Sequence, residues 1–201
     1  MEQTPMKKRK RQALETKERI FNATISLIKE RGFNNVLMED ITQKAGVSAG
    51  LFYNYFASKA DVLTESFYYR SSKYYDSMEQ EWLLDVKGLE KLRQIIHHVA
   101  VLRLEIYDKE ELRQHHINLL GMHNRLEDVQ EKSEKLFEMI TESLNEALEL
   151  GELPAGTDLT ALCTMVHLVL RGATWEYLAS FDEYPFEERS WNIISNYIKG
   201  I

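Results

Sequence analysis

Three groups of residues could do chemistry, and in each the chemistry is recognition of a charged partner. Lys7, Lys8, Arg9, Lys10 and Arg11 form an unbroken cationic run inside Met1 to Gln12, a stretch that reads as a disordered arm. Such an arm can follow phosphates or enter a minor groove, and it can equally be a solubilising terminus. His167, Arg171 and Trp175 recur at i, i+4 and i+8 and interrupt an otherwise apolar helix. That line could hold an anionic group against an aromatic wall, or it could face another helix or a partner chain. Arg103 falls among Val99, Leu102 and Ile106 with no carboxylate at i±3 or i±4. Its partner must come from another helix or from an anionic ligand; an internal ion pair or a snorkelling stem would serve as well.

Catalysis finds less support. There is no nucleophile elbow, P-loop, dinucleotide fingerprint or metal triad. His97-His98 and His115-His116 are adjacent pairs whose side chains diverge, and His116 and His123 are two turns apart. No HxxxH or HExxH spacing occurs, so no metal and no cofactor are expected. His116 and His123 are candidates to line a pocket, against ordinary packing. Cys163 sits in an apolar helix, where a thiol is usually inert. The chain is not expected to be an enzyme.

Composition sets the frame. The 201 residues are 44% apolar with 3 prolines, enough for one domain or two small ones. A single cysteine excludes an internal disulfide and fits a reducing cytoplasm. No apolar run is long enough to span a bilayer and no signal peptide is evident, so a cytoplasmic protein without membrane partners is expected. Net charge is −7, but residues 1–60 hold 11 Lys/Arg against 6 Asp/Glu, whereas the rest hold 14 against 26. A basic head on an acidic body suggests that only the head meets a polyanion.

The elements that must position these residues are helices. Thr16 to Arg31 carries the apolar stripe Ile20, Ala23, Thr24, Leu27, Ile28, and Gly32 stops it. Glu39 to Lys59 then reads as two short helices around a tight turn. Ile41 and Ala45 share a face, Gly46 supplies the turn, Ser48 caps a second helix, and Ser58 caps the next with Asp61 at the capping-box position. A helix, a glycine turn and a helix too short to stand alone fit a DNA-reading helix-turn-helix. Phe52 and Phe56 are assigned to its core. Further helices follow over Ser58 to Glu81, Leu89 to Tyr107, Lys109 to His123, Leu126 to Leu150, 158–180 and 186–199. In the sixth, Leu112, His116, Leu119, Leu120 and His123 are expected inside. The helix over 158–180 is apolar nearly all round, so both faces need cover, and with 186–199 it can pair with a second copy as a four-helix interface.

The residues Arg31-Gly32-Phe33, Asp40-Ile41, Ala45-Gly46-Val47-Ser48, Gly50-Leu51-Phe52-Tyr53, Tyr55-Phe56 and Ser58-Lys59 resemble the DNA-binding domain of the TetR family of bacterial transcriptional regulators. By position, the resemblance implies that Ala49 and Gly50 face bases and that Ser48, Tyr53, Asn54, Tyr55 and Lys59 face phosphates. Neither Ala49 nor Gly50 has a polar side chain, so direct readout would be limited to methyl or backbone contact. Two departures stand out. Tyr55 occupies a position where many members have His. Leu37 occupies one where the family often has Thr, so Asn35 or a shifted boundary must cap the second helix.

The fold expected is all-α, about nine helices, with a three-helix head at 1–60 and a helical ligand-binding and dimerisation body at 61–201. The function expected is a ligand-responsive regulator, a repressor, binding a near-palindromic double-stranded DNA operator as a homodimer. A small-molecule effector would sit among Arg103, His116, His123, His167, Arg171 and Trp175 and shift the spacing of the heads through the fourth and sixth helices. The alternative is a head that docks on a protein.

Overall fold

The computed structural model describes residues 5–121, 134–180 and 183–201. Among these residues the regular structure is helical: α1 Pro5–Arg31, α2 Met38–Ala45, α3 Ala49–Tyr53, α4 Lys59–Ser77, α5 Gly88–Val101, α6 Lys109–Gly121, α7 Glu134–Glu149, α8 Leu159–Ala179 and α9 Phe186–Gly200. A 3-10 turn, Phe33–Asn35, follows α1, and π turns at Met78–Trp82 and Leu102–Ile106 end α4 and α5. The chain divides into two compact units, Met1–Arg70 with Glu110–His123 and Ser71–Lys109 with Asn124–Ile201. This compact division places the start of α4 and all of α6 after Lys109 with the N-terminal residues. The 1–60 and 61–201 assignment is a functional one.

In the first unit, α1, α2 and α3 enclose Ile20, Ile41 and Phe52, which are wholly buried, with Phe56 and Leu63 beside them. Phe52 and Phe56 lie with ring centroids 5.8 Å apart, and Phe21 is 5.5 Å from Phe56, the tilted arrangement aromatic pairs favour. Gly32 adopts φ 75 and its N–H donates to the Ile28 carbonyl at 2.8 Å, which ends α1.

Three expectations change in this unit. The arm is not irregular: α1 begins at Pro5, eleven residues before Thr16. Proline suits a first helical position, and the Lys, Arg, Gln and Glu that follow are good helix formers. Asn35 does not cap α2; its amide donates to the Arg31 carbonyl at 2.8 Å, closing α1 instead. The start of α2 is served from inside, by Asp40 Oδ2 accepting from the Leu37 N–H at 3.0 Å. Of the expected inner face of α6, Leu112 is buried, but its buried neighbours are Glu111 and His115; His116 and Leu119 are half-buried, Leu120 is 66% exposed, and His123 lies outside the described residues. The buried Glu111 carboxylate takes the Arg70 guanidinium at 2.6 Å, and His115 stacks on Phe67 at 3.8 Å, so those two partners set the rotation of the helix.

In the second unit, α5 and α7 pack through Leu92, Ile95 and Ile96 against Met139, Ile140 and Leu144, all wholly buried. The buried Lys91 ammonium reaches Glu142 at 3.0 Å and Glu146 at 3.4 Å on α7. The amino end of α5 is tied down by two carboxylates: Glu146 accepts from the Gly88 N–H at 3.1 Å and Glu152 from the Leu89 N–H at 2.8 Å. Gly88 takes φ 61, which side chains rarely adopt, and a Cβ there would fall 2.1 Å from the Glu152 oxygen, so a substitution would strain the backbone and displace that carboxylate. Helix α8 buries Leu162, Val166 and Leu170 between α7 and α9, and Asp158 caps it by accepting from the Ala161 N–H at 3.0 Å. No described helix is long and apolar enough to cross a membrane.

Candidate functional site

The helix-turn-helix is built by two local rules. Gly46 takes the left-handed conformation, φ 64 and ψ 43, and its N–H and that of Val47 donate to the Gln43 and Thr42 carbonyls at 3.2 and 3.0 Å. That closure turns the chain sharply out of α2. Ser48 then opens α3, its Oγ accepting from the Leu51 N–H at 3.1 Å, a cap that contributes about 1 kcal/mol. Helix α3 has 5 residues, too few to persist alone, and is held by Phe52 at its centre. Helix α4 is capped as the sequence indicates: Ser58 Oγ accepts from Asp61 N–H, and Asp61 accepts from Ala57 N–H, both at 3.1 Å.

This frame puts Ser48, Ala49, Gly50, Tyr53 and Asn54 at the exposed surface and leaves Tyr55 half-buried against the core. Tyr53 is 59% exposed, its ring edge-on to Phe52 at 5.6 Å. A Cβ on Gly50 would meet nothing within 4 Å. The surface of α3 therefore offers hydroxyl and amide donors around two positions with no polar side chain. Lys59 is placed differently. Its ammonium donates to the Phe33 carbonyl at 2.6 Å and the Val36 carbonyl at 2.9 Å, and lies 4.5 Å from the Phe33 ring centroid. Two of its three donors thus clamp the turn after α1 to the start of α4, leaving one for a phosphate. No local sequence signal marks this clamp, because its partners are main-chain carbonyls 23 and 26 residues away.

The effector candidates divide between the units. His116 lies in the first, its Nδ1 2.9 Å from the Leu112 carbonyl oxygen of its own helix. His123 lies outside the described residues. The other four lie in the second. Arg103 occupies the π turn Leu102–Ile106 and is half-buried. His167 is half-buried on α8, and its Nδ1 has no protein partner. Burial, then the positive charges of Arg171 and Arg103, hold the His167 imidazole below its ordinary pKa. Arg171 follows His167 by one turn of α8, and Arg103 stands at the end of α5. Arg171 and Trp175 are exposed. A separate groove of about 490 Å³ opens between α5 and the start of α9, lined by Arg93, His97, Leu104, Glu105, Glu187 and Trp191 among others. None of the six candidates lines it.

Helix α8 has one buried side and one exposed side. Val166 faces the core, wholly buried. The exposed face runs Ala161, Leu168, Gly172, Trp175, with half-buried Met165 between, a spacing of four and three that keeps one stripe aligned. Ile193 and Tyr197 are exposed on α9, which packs against α8, and Ile201, just past its end, is exposed too. Among the described residues no His, Cys, Asp and Glu group could hold a metal.

Comparison with known proteins falls on the same elements. Residues 20–65 match the family model described as bacterial regulatory proteins, tetR family. The chain is 24% identical over 187 residues to the fatty acid metabolism regulator protein of Bacillus subtilis (strain 168), covering 90% of this chain and 93% of that one. Thermus thermophilus FadR, a TetR-family transcriptional repressor in complex with lauroyl-CoA, superposes with a TM-score of 0.71 at 22% identity, covering 92% and 94% of the two chains. Bacillus subtilis FadR in complex with stearoyl-CoA gives 0.66 at 23%, covering 92% and 98%. Those structures share the fold, and the matched segment is the one that carries the Gly46 turn and the exposed face of α3. Residues 20–65 thus match the DNA-binding segment of the tetR family of bacterial regulatory proteins, and over most of its length the chain is similar to regulators of that family, which supports reading it as a DNA-binding transcriptional regulator.

Proposed function

We propose that this regulator is a repressor that binds a near-palindromic operator as a homodimer and whose operator affinity changes when an anionic, acylated effector binds the body. Residues 1–60 serve as the DNA-binding head and 61–201 as the ligand-binding and dimerisation body, acting in the cytoplasm. The observation that carries the reading is the exposed face of α3. Ser48, Tyr53 and Asn54 present donors for phosphate oxygens, with half-buried Tyr55 beside them, around Ala49 and Gly50, which can offer bases only a methyl or the backbone. Sequence is then read largely through the shape and deformability of the duplex.

One such helix covers too little DNA for specific binding, and two heads on a symmetric site double it. The exposed stripes of α8 and α9 supply the second observation. Leu168 is 60% exposed, Trp175 44% and Ile193 56%, a patch that a second copy would cover. The effector class rests on Arg103, His167 and Arg171, with exposed Trp175 one turn beyond Arg171 on α8. Three basic groups in one neighbourhood suit a polyanion, whereas the α5–α9 groove carries Glu105, Glu187 and Glu188 and would repel one. Relatives with the same fold hold lauroyl-CoA and stearoyl-CoA, which combine such a headgroup with an apolar chain.

The test is fluorescence anisotropy on DNA from upstream of the protein's own gene, against a scrambled duplex, with and without stearoyl-CoA. Competitor-resistant binding by two protomers per site, weakened by stearoyl-CoA, is the expected result. Equal binding to both duplexes would overturn the operator reading, and binding indifferent to stearoyl-CoA would overturn the effector class.

A further inference from the structure

The groove between α5 and the start of α9 is lined by neither the operator nor the effector candidates. It encloses about 490 Å³, a volume suited to a small molecule. Its floor is apolar: Ala100 and Phe186 are buried, with half-buried Val101 and exposed Leu104 beside them. Two half-buried rings, Trp191 and Tyr184, stand in its wall. Each already faces a guanidinium of the chain itself. The Arg93 Cζ lies 5.9 Å from the Trp191 ring centroid, and the Arg189 Cζ lies 5.2 Å from that of Tyr184. Both arginines are exposed, so these contacts are weak and open to exchange. Charge gives the groove a sign. The carboxylates of Glu105, Glu187 and Glu188 line it against one guanidinium, that of Arg93. Glu187 is engaged, its Oε2 2.7 Å from the His97 Nδ1. Glu105 and Glu188 are exposed and have no hydrogen bond or ion pair among the described residues. The groove also stays open if the exposed faces of α8 and α9 pair with a second copy. Trp191 precedes Ile193 by two residues, about 200° round α9, so the groove wall and exposed Ile193 lie on opposite sides of that helix.

We propose that the α5–α9 groove binds a small organic cation that joins an apolar body to an ammonium group, at a site separate from Arg103, His167 and Arg171. The floor takes the apolar body. The ring faces of Trp191 and Tyr184 attract the positive charge through their quadrupoles, and Glu105 and Glu188 attract it as free carboxylates. The same carboxylates exclude a polyanion, so this ligand and the acyl effector are of opposite charge. The inference stands independently of the operator and effector readings.

The probe is (3-phenylpropyl)trimethylammonium, titrated into the full-length protein by isothermal calorimetry at low salt, with 4-phenylbutanol as its uncharged counterpart. One saturable site per protomer is expected, with the alcohol binding several-fold more weakly. Glu105→Gln/Glu188→Gln removes the two unengaged charges at exposed positions, so circular dichroism melts of variant and parent are expected to coincide. Its affinity for the cation is expected to fall about fivefold or more, as for the loss of two exposed charge pairs. Absence of saturable binding would overturn the inference. So would equal affinity for the alcohol, which would leave the carboxylates without a role. An affinity unchanged by the double substitution would place the cation elsewhere on the protein and overturn it too. No DNA is present in the titration, so none of these outcomes bears on the operator reading.

Discussion

Lys59 is both a candidate phosphate contact and a structural clamp, and the clamp has the larger claim. Replacing it with methionine leaves the Phe33 and Val36 carbonyls without their donor, a loss of about 1–3 kcal/mol. Thermal melts of Lys59→Met should therefore fall by several degrees, with DNA binding lost through the head rather than through one charge. Tyr53→Phe removes only an exposed hydroxyl; binding to any duplex should weaken with the melt and the salt slope unchanged. His167 gives a pH signature. Its folded pKa lies below the ordinary value of about 6.5, so the unfolded chain takes the proton first. Its contribution is fully present above that value and is lost as pH falls below it. His167→Gln should flatten the acid side of the stability curve measured by urea unfolding. His98, also lowered by burial and by His97, keeps some slope in the variant. A bound polyanion reverses the bias on His167, so effector affinity should rise from pH 7.5 to 5.5, and His167→Gln should lose that rise.

Elements were legible where the cause is local. Gly32, Gly46, Ser48, Ser58 and Asp158 end or begin helices where their chemistry indicates. The rotation of α6 was not legible, since it follows Arg70 and Phe67, about 40 residues and more away in sequence, which hold Glu111 and His115. Helix α8 shows the same limit. Its apolar residues occupy every side, so periodicity alone could not say that Val166 is core and Leu168 surface. The two positions now make a matched test. Val166→Glu places a carboxylate in a dry core and should unfold the body, a loss of several kcal/mol. Leu168→Glu should leave the helix content intact by circular dichroism and yield monomers in sedimentation. A stable dimer of Leu168→Glu would move the interface elsewhere.

At the scale of the molecule, the uneven charge separates two tasks. Positive charge is concentrated where phosphates are met, and the acidic remainder discourages the body from lying on DNA. Effector and operator then communicate only if the effector binds two states of the protein with different affinity. The coupling is reciprocal, so operator DNA in excess should weaken stearoyl-CoA binding by the same factor that stearoyl-CoA weakens operator binding, which paired titrations can measure. The recognition helix carries a different kind of consequence. Gly50 is exposed with open space where a side chain would stand, and Ala49 beside it offers only a methyl. Neither position is held by packing. If position 50 faces bases as proposed, an arginine there should bring a guanine-reading fork to the groove without disturbing the fold beneath it, and operator selection with Gly50→Arg should then return guanine-enriched sites.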